Sequence, residues 1–327
     1  MVKIAINGFG RIGRLFFRQA EEHDDLQVVA INDLGDLENL SYLLSHDTVY
    51  GRFEKGLKGV KTFKEKDPAK LPWKKLGIDI VVEATGVFDS YKKAQVHLKA
   101  GAKRVVITAP AKDEDGKEGR TVLCGVNEKE MAKYAITSNG SCTTNAASPV
   151  ILVLSQNPGI QKAVLNTTHG YTATQSLVDA PSRGKDVRRG RAAAQNIIPS
   201  STGAAIAVAR VIPEMKDKFD GIALRVPVVA GSIADITFLA KRKTSVKEIN
   251  SILSKAASLP QWKGILKVTD DPIVSSDIIK EPYGAIVDLS LTRVVDGDLV
   301  KVLSWYDNEW GYVTTLVKHV KAAAKVL

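Results

Sequence analysis

The chain has 327 residues, 44% of them apolar and 25% charged, with 12 prolines. At roughly 150 residues per domain that length suggests two domains, and the balance excludes a disordered, collagenous or disulfide-built protein. The formal net charge of +10 favours anionic partners such as phosphorylated metabolites, dinucleotides or nucleic acid, without choosing among them.

In chain order, the first third alternates short β-branched runs with amphipathic stretches. Val2–Ile6 reads as a buried strand, Arg11 to about His23 as a helix, Val28–Ile31 as a strand and Leu37–Leu44 as a helix. Ile80–Glu83, Tyr91–Lys99 and Arg104–Thr108 repeat the strand–helix–strand order, the pattern of a parallel sheet with crossover helices. Lys112 to Arg120 is a charged, glycine-containing surface loop. From about Gly221 the strands lengthen: Ile222–Val229, Ile233–Ala240, Ile286–Leu291 and Leu299–Trp305, the last after an Asp296-Gly297-Asp298 hairpin turn. With a helix near Val246–Ala257, this part reads as a largely antiparallel sheet, and Val313, Leu316, Val317 and Val320 close the chain at helical spacing.

No run of eighteen apolar residues suggests a membrane span; Ile222 to Ala240 carries Arg225, Asp235 and a proline. Glycines and Arg11 stand where a signal peptide would place its apolar stretch. The two cysteines are too few for a disulfide scaffold, and the expected location is cytoplasmic.

Gly8-Phe9-Gly10-Arg11-Ile12-Gly13 follows a strand and opens a helix. The first glycine permits a tight turn, the second lets the backbone approach a pyrophosphate, and the third lets helix and strand pack closely. Asp33 follows Gly13 by 20 residues at the end of the second strand, where a carboxylate meets the adenosine ribose hydroxyls. It would repel the extra phosphate of NADP, so NAD is the favoured cofactor and NADP the second choice.

Cys124 sits in an apolar, strand-like run, the usual setting of a structural thiol. Cys142 lies in Ser138-Asn139-Gly140-Ser141-Cys142-Thr143-Thr144-Asn145, a turn of small polar residues leading into an apolar segment. A helix starting there would lower the thiol's pKa. Pro149 either marks the true start of that helix or bends one that begins near Cys142. Of the five histidines, His169, in a hydroxyl-rich strand end, is the candidate base for Cys142.

Taken together, the glycine turn, Ser141-Cys142-Thr143-Thr144-Asn145, His169-Gly170-Tyr171-Thr172-Ala173-Thr174-Gln175, Ser201-Thr202-Gly203-Ala204-Ala205 and Trp305-Tyr306-Asp307-Asn308-Glu309 closely resemble the phosphorylating glyceraldehyde-3-phosphate dehydrogenases. The likeness covers essentially the whole chain. It implies attack of Cys142 on an aldehyde, a thiohemiacetal, hydride transfer to NAD with His169 as base, and phosphorolysis of the resulting thioester to 1,3-bisphosphoglycerate. It implies that Thr172 and Arg225, with Lys185 or Arg189 nearby, hold the substrate phosphate. Ser141, Thr143, Thr202 and Gly203 would hold the attacking phosphate. Arg11 and Ile12 would line the pyrophosphate, Thr85, Gly86 and Thr108 the cofactor groove, Lys66 the adenine, and Asn308 the nicotinamide amide. No metal is implied.

Five basic residues, Arg183, Lys185, Arg188, Arg189 and Arg191, crowd nine positions. In the family this loop approaches the cofactor of a neighbouring subunit of a homotetramer; a solvated loop and a nucleic-acid patch are the alternatives. Pro181 matches NAD-using members, whereas Ala180 resembles the NADP-tolerant type. The loop looks one residue longer than usual, and Lys66, Ile206, Gly170 and Ala146 also depart from the family pattern. Erythrose-4-phosphate dehydrogenase lacks the Thr-Gly-Ala-Ala sequence present at Thr202–Ala205, and aspartate-semialdehyde dehydrogenase does not explain Tyr306–Glu309. Nucleic-acid binding resting on the positive charge is at most secondary. The expected architecture is α/β: a doubly wound Rossmann-type NAD-binding domain of residues 1–141 and 307–327, and a catalytic domain of residues 142–306 with a mixed, mainly antiparallel sheet. Cys142 is then expected at the junction.

Overall fold

The computed structural model describes residues 1–182 and 184–327; Arg183 of the basic loop lies outside them. Two compact units divide the chain, Met1–Ser141 with Val313–Leu327, and Cys142–Tyr312.

In the first unit, strands β1 (Val2–Asn7), β2 (Leu26–Asn32), β5 (Lys61–Phe63), β6 (Ile80–Glu83), β7 (Arg104–Ile107), β8 (Arg120–Thr121) and β9 (Ile136–Ser138) form one sheet. Its order is β5-β2-β1-β6-β7-β9-β8, and each pairing is parallel. A parallel sheet is covered on both faces, so its strands read as unbroken apolar runs rather than alternation; β6 and β7 are buried at every position. A short hairpin, β3 (His46–Asp47) with β4 (Gly51–Arg52), lies outside that sheet. The helices are α1 (Arg11–Ala20), α2 (Leu37–Ser45), α3 (Trp73–Leu76) and α4 (Tyr91–Lys99). Asp36 caps α2 by accepting from the Asn39 amide, and Ser90 caps α4 by accepting from Lys93. α1 differs: its N-cap is Gly10, with no side-chain hydrogen bond.

β1 lies between β2 and β6, so the strand order reverses at β1. Open parallel sheets bind ligands outside the carboxyl ends of the strands at such a point. Helix α8 (Trp310–Ala324) returns to this unit from Val313 onward, burying Val313, Leu316, Val317 and Val320. The Arg104 guanidinium fixes its end, donating to the carbonyls of Met131, Tyr134, Ala323 and Val326.

The second unit opens with α5 (Cys142–Gln156) and contains β10 (Ile160–Gly170), β11 (Ile198–Ser201), β12 (Phe219–Val226), β13 (Ser232–Ala240), β14 (Leu266–Thr269), β15 (Ala285–Val295) and β16 (Leu299–Tyr306), with helices α6 (Ala204–Val211) and α7 (Val246–Ala257). The sheet order is β11-β12-β10-β13-β16-β15-β14; only β10–β12 and β14–β15 run parallel. The β15–β16 hairpin turns at Asp296 and Gly297, both at positive φ (46° and 74°), as a type I′ turn requires. α5 packs on the sheet against β10, β13, β15 and β16.

Several boundaries differ from expectation. The strand expected at 222–229 lies at 219–226, because Pro227 has no N–H for the ladder. The first helix ends at Ala20, and the strand expected at 286–291 extends over Ala285–Val295. Cys124 lies in a turn after β8 rather than in a strand. α5 begins at Cys142 and continues through Pro149. Among the described residues, no helix is long and apolar enough to cross a membrane.

Candidate active site

In the second unit, Cys142 is the first residue of α5, where the positive end of the helix dipole favours a thiolate. His169 stands near the end of β10 and Arg225 is its register partner on the parallel strand β12, so both side chains share a face. Cys142 Sγ lies 3.3 Å from His169 Nε2. Arg225 Nη1 lies 2.7 Å from the other ring nitrogen, Nδ1, which is also 2.6 Å from the Gly170 carbonyl oxygen.

Those two contacts compete. A carbonyl only accepts and a guanidinium only donates. With a proton on Nδ1 the ring serves Gly170 and presents an accepting Nε2 to the sulfur. With none there, the ring serves Arg225 and turns an Nε2–H toward the sulfur. Burial, followed by the charge of Arg225, lowers the His169 pKa to about 3, so the ring is neutral at pH 7. Burial pushes the Cys142 thiol up, while Arg225 and the backbone amides of Thr143 and Cys142 pull it back. For Cys124, burial and then Glu128 outweigh the opposing charges of Lys318 and Lys325 and raise the thiol to about 12, the condition of an inert thiol.

Tyr306, buried at the end of β16, bonds through its hydroxyl to Thr143 (2.8 Å) and Thr167 (2.7 Å). Thr167 donates to the Ile233 carbonyl, so Tyr306 donates to Thr167 and accepts from Thr143. The Thr143 proton is therefore turned inward, and its oxygen is left to accept. Ser141 immediately precedes Cys142 and is half-buried.

Farther along, Thr172 Oγ1 pairs with Thr174 Oγ1 at 3.0 Å, and Arg189 reaches Ser200 at 2.9 Å and Thr174. Arg188 pairs with Asp186 and Arg191 with Asp179. Gly203 is the N-cap of α6, and Thr202 Oγ1 accepts from the Ala204 amide. The buried Asn308 accepts at Oδ1 from the Gly231 amide (3.0 Å) and the Ser232 hydroxyl (2.9 Å), which leaves its Nδ2 as the donating end. The Arg225 Nε is buried with no hydrogen-bond partner.

In the first unit the glycine turn joins β1 to α1. A Cβ on Gly8 would lie 2.6 Å from the Thr85 nitrogen, and one on Gly13 would lie 2.1 Å from the Gly8 carbonyl oxygen, so neither tolerates a side chain. Gly8 has a φ of +96°, while Gly10 is exposed with open space around it. The Arg11 guanidinium forks onto Asp47 and lies over the Tyr50 ring, so the turn offers an anion backbone rather than that side chain. The half-buried Ile12 follows in the first turn of α1. Asp33, just beyond β2, accepts from the Phe9 amide (2.6 Å) and the Gly35 amide (2.7 Å). Close-packed glycines, an uncapped helix start and a carboxylate at the second strand end fit a dinucleotide. Gly86 adopts positive φ (69°), and the Thr108 amide pairs with the Glu83 carbonyl. Lys66 is exposed; a cavity of about 250 Å³ beside Asp33 is lined by Lys64 instead.

Reading the sequence left out Tyr306 as a hydrogen-bonding partner of the site, and Glu83, whose carboxylate bonds the Thr85 amide and hydroxyl. Tyr306 acts through Thr143 and Thr167, far off in sequence, whereas Glu83 joins the nearby Thr85 to the distant Asn7 and to His97.

Two family descriptions match the chain: glyceraldehyde 3-phosphate dehydrogenase, NAD binding domain, over residues 2–91, and glyceraldehyde 3-phosphate dehydrogenase, C-terminal domain, over residues 141–308. Among curated relatives, the glyceraldehyde-3-phosphate dehydrogenase of Streptomyces coelicolor is 46% identical, over 97% of this chain and 96% of its own length. Proteins of the same name from Mycobacterium tuberculosis H37Rv and Mycobacterium avium are 48% and 47% identical, each over 100% of this chain and 99% of their own lengths.

Proposed function

The chain belongs to the glyceraldehyde-3-phosphate dehydrogenase family, and from that premise we propose how its residues divide the work. The protein is an NAD-dependent enzyme that oxidises glyceraldehyde 3-phosphate. Residues 1–141 and 307–327 serve as the NAD-binding domain and residues 142–306 as the catalytic domain. One observation carries the chemistry: a thiol at a helix start, 3.3 Å from a neutral imidazole whose other nitrogen faces an arginine.

Cys142 Sγ bonds to the aldehyde carbon and gives a thiohemiacetal. His169 Nε2 takes the hydroxyl proton as the carbon is oxidised. Bound NAD supplies the hydride acceptor. Inorganic phosphate then attacks the thioester carbon, the S–C bond breaks, and 1,3-bisphosphoglycerate leaves a thiolate behind.

Arg225 and Thr172, with Arg189 or Lys185, hold the substrate phosphate. An anion engaging Arg225 removes its claim on Nδ1, so the Gly170 carbonyl fixes the proton there and Nε2 becomes the accepting atom. Ser141, Thr202 and Gly203 hold the attacking phosphate, and Thr143 contributes through its backbone or by accepting a P–OH. Asn308 Nδ2 donates to the nicotinamide carboxamide. Asp33 binds the adenosine ribose, and Gly8, Gly10, Ile12 and Gly13 cradle the pyrophosphate.

The protein acts in the cytoplasm as a homotetramer. Val164, Ile206, Ile222 and Leu299 stay exposed on the second unit, three of them around or beside a groove of about 910 Å³ that Phe219 and Phe238 also line. A second copy of the chain is the occupant that this apolar surface supports.

NAD reduction with glyceraldehyde 3-phosphate, with and without inorganic phosphate, tests the reaction. Phosphate-dependent turnover is expected, faster with NAD than with NADP. Turnover indifferent to phosphate would mean that water resolves the thioester and would overturn the phosphate assignments.

A further inference from the structure

Beneath the glycine turn of the first unit lies a buried polar cluster that the reaction does not use. Glu83 ends β6 and is 2% exposed; His97, on α4, is fully buried. The Trp73 indole N–H donates to His97 Nδ1 at 3.2 Å, and an indole can only donate. His97 therefore carries its proton on Nε2, 3.0 Å from Glu83 Oε2. Asn7 Nδ2 donates to the same oxygen at 2.6 Å. The Thr85 amide donates to Oε1 at 2.8 Å, and the Thr85 hydroxyl donates there too. Four donors thus converge on one carboxylate. The Thr85 hydroxyl oxygen in turn accepts from the Val87 amide at 3.0 Å.

The placement matters because Asn7 and Glu83 are the last residues of β1 and β6, register partners where the strand order reverses. Gly8 leaves β1 there and presses on Ala84–Thr85, with no room even for a Cβ. Asn7 also accepts from Asn32 Nδ2 at 2.8 Å, which extends the chain of bonds to the end of β2, next to Asp33. The ends of three strands are thus tied together beneath the glycine turn.

We propose that Glu83 is a positioning residue of the dinucleotide site, fixing the 84–87 segment against the glycine turn and using both Thr85 donors inside the protein. Thr85 then offers the cofactor shape, not a hydrogen-bond donor. The inference rests on the NAD-binding reading of this unit. It separates two roles for Thr85 that look alike in sequence: its hydroxyl either touches the cofactor or is consumed below it.

The experiment measures the NAD dissociation constant by titration, for wild type, Glu83→Gln, Thr85→Val and the double variant. A carboxamide necessarily sets an NH₂ against donors at one of its ends, leaving them unpaired. Glu83→Gln is expected to weaken NAD about 10-fold. Its Cys142 alkylation rate by iodoacetamide without NAD, and its kcat at saturating NAD, should stay within about twofold of wild type. A purely structural role would lower the melting temperature without this split between affinity and turnover. The double variant is expected to bind NAD no more weakly than the weaker single variant, since both break one interaction. Multiplying fold-changes would place the Thr85 hydroxyl on the cofactor and overturn the proposal, as would an unchanged NAD affinity in folded Glu83→Gln. If Glu83→Gln does not fold, His97 gives the second readout. His97→Gln keeps a donor and should hold NAD affinity within about twofold, whereas His97→Leu should lose several-fold. Equal affinities in the two would overturn the proposal. Absence of NAD binding by the wild type would sink the underlying reading, a result distinct from binding that Glu83→Gln leaves intact.

Discussion

The two units build their sites by opposite means. In the first, the turn from Gly8 to Gly13 presents backbone and depends on side chains being absent: a Cβ at Gly13 would sit 2.1 Å from a carbonyl oxygen. In the second, a thiol, an imidazole, a guanidinium and a phenol arrive from α5, β10, β12 and β16 and meet through their side chains. Each unit also buries a histidine lowered to about 3, His169 in the second and His319 in the first, chiefly through burial. One faces a nucleophile. The other bonds Thr137 and Asn139 and holds α8 in place. A depressed histidine is therefore not by itself a catalytic sign; the groups facing it decide.

Substitutions in one unit should leave the other unit's readout unmoved. The largest effect expected is at Cys142: Cys142→Ala should lower kcat by about 10⁴-fold or more. NAD affinity by titration should stay within about twofold; a large loss of NAD binding would blur the contrast between the units. Next comes Gly13→Ala, where overpacking costs about 1–3 kcal/mol and NAD affinity should fall about 10-fold or more. Iodoacetamide should still alkylate Cys142 at the wild-type rate.

Arg225→Gln should raise the KM for glyceraldehyde 3-phosphate about 10–100-fold, the loss of a charge-assisted phosphate contact. It also removes a cation that lowers the His169 pKa, so the acid limb of kcat/KM should move to higher pH. A limb that moved down or stayed put would remove Arg225 from the proton's control.

The smallest effect concerns His319. A histidine whose folded pKa is depressed binds fewer protons folded than unfolded, so its stability contribution is complete above the unfolded value near 6.5 and declines as pH falls toward about 3. Across that window the slope is about 1.4 kcal/mol per pH unit for one group. His319→Gln should flatten the urea-midpoint profile there while leaving phosphate-dependent kcat at neutral pH near wild type. A profile as steep as wild type would assign the acid sensitivity to other groups.

Legibility in the sequence follows the same contrast. The glycine turn is local, so its place between β1 and α1, with Asp33 just beyond β2, was legible from spacing, and the β-branched runs declared a parallel sheet. Asn139 shows the limit of such rules: its bonds to Thr315 and His319 span 176 and 180 residues, and no spacing rule reaches so far. The pairing of Cys142 with His169 needed residue chemistry together with resemblance. The direction of the Thr143 proton was not legible, because only the carbonyl of Ile233, acting through Thr167 and Tyr306, fixes which way it points. Strand ends shifted where proline removed a donor, as at Pro227, a competition that apolar pattern alone does not register.

The return of α8 to the first unit bears on synthesis. A ribosome makes residues 1–141 before residues 142–312, yet Val313, Leu316, Val317 and Val320, which complete that unit's core, emerge only after both. Domains of nascent chains ordinarily fold in order of emergence. Here the unit begun first is finished last, and Cys142–Tyr312 has all its residues available before its predecessor does.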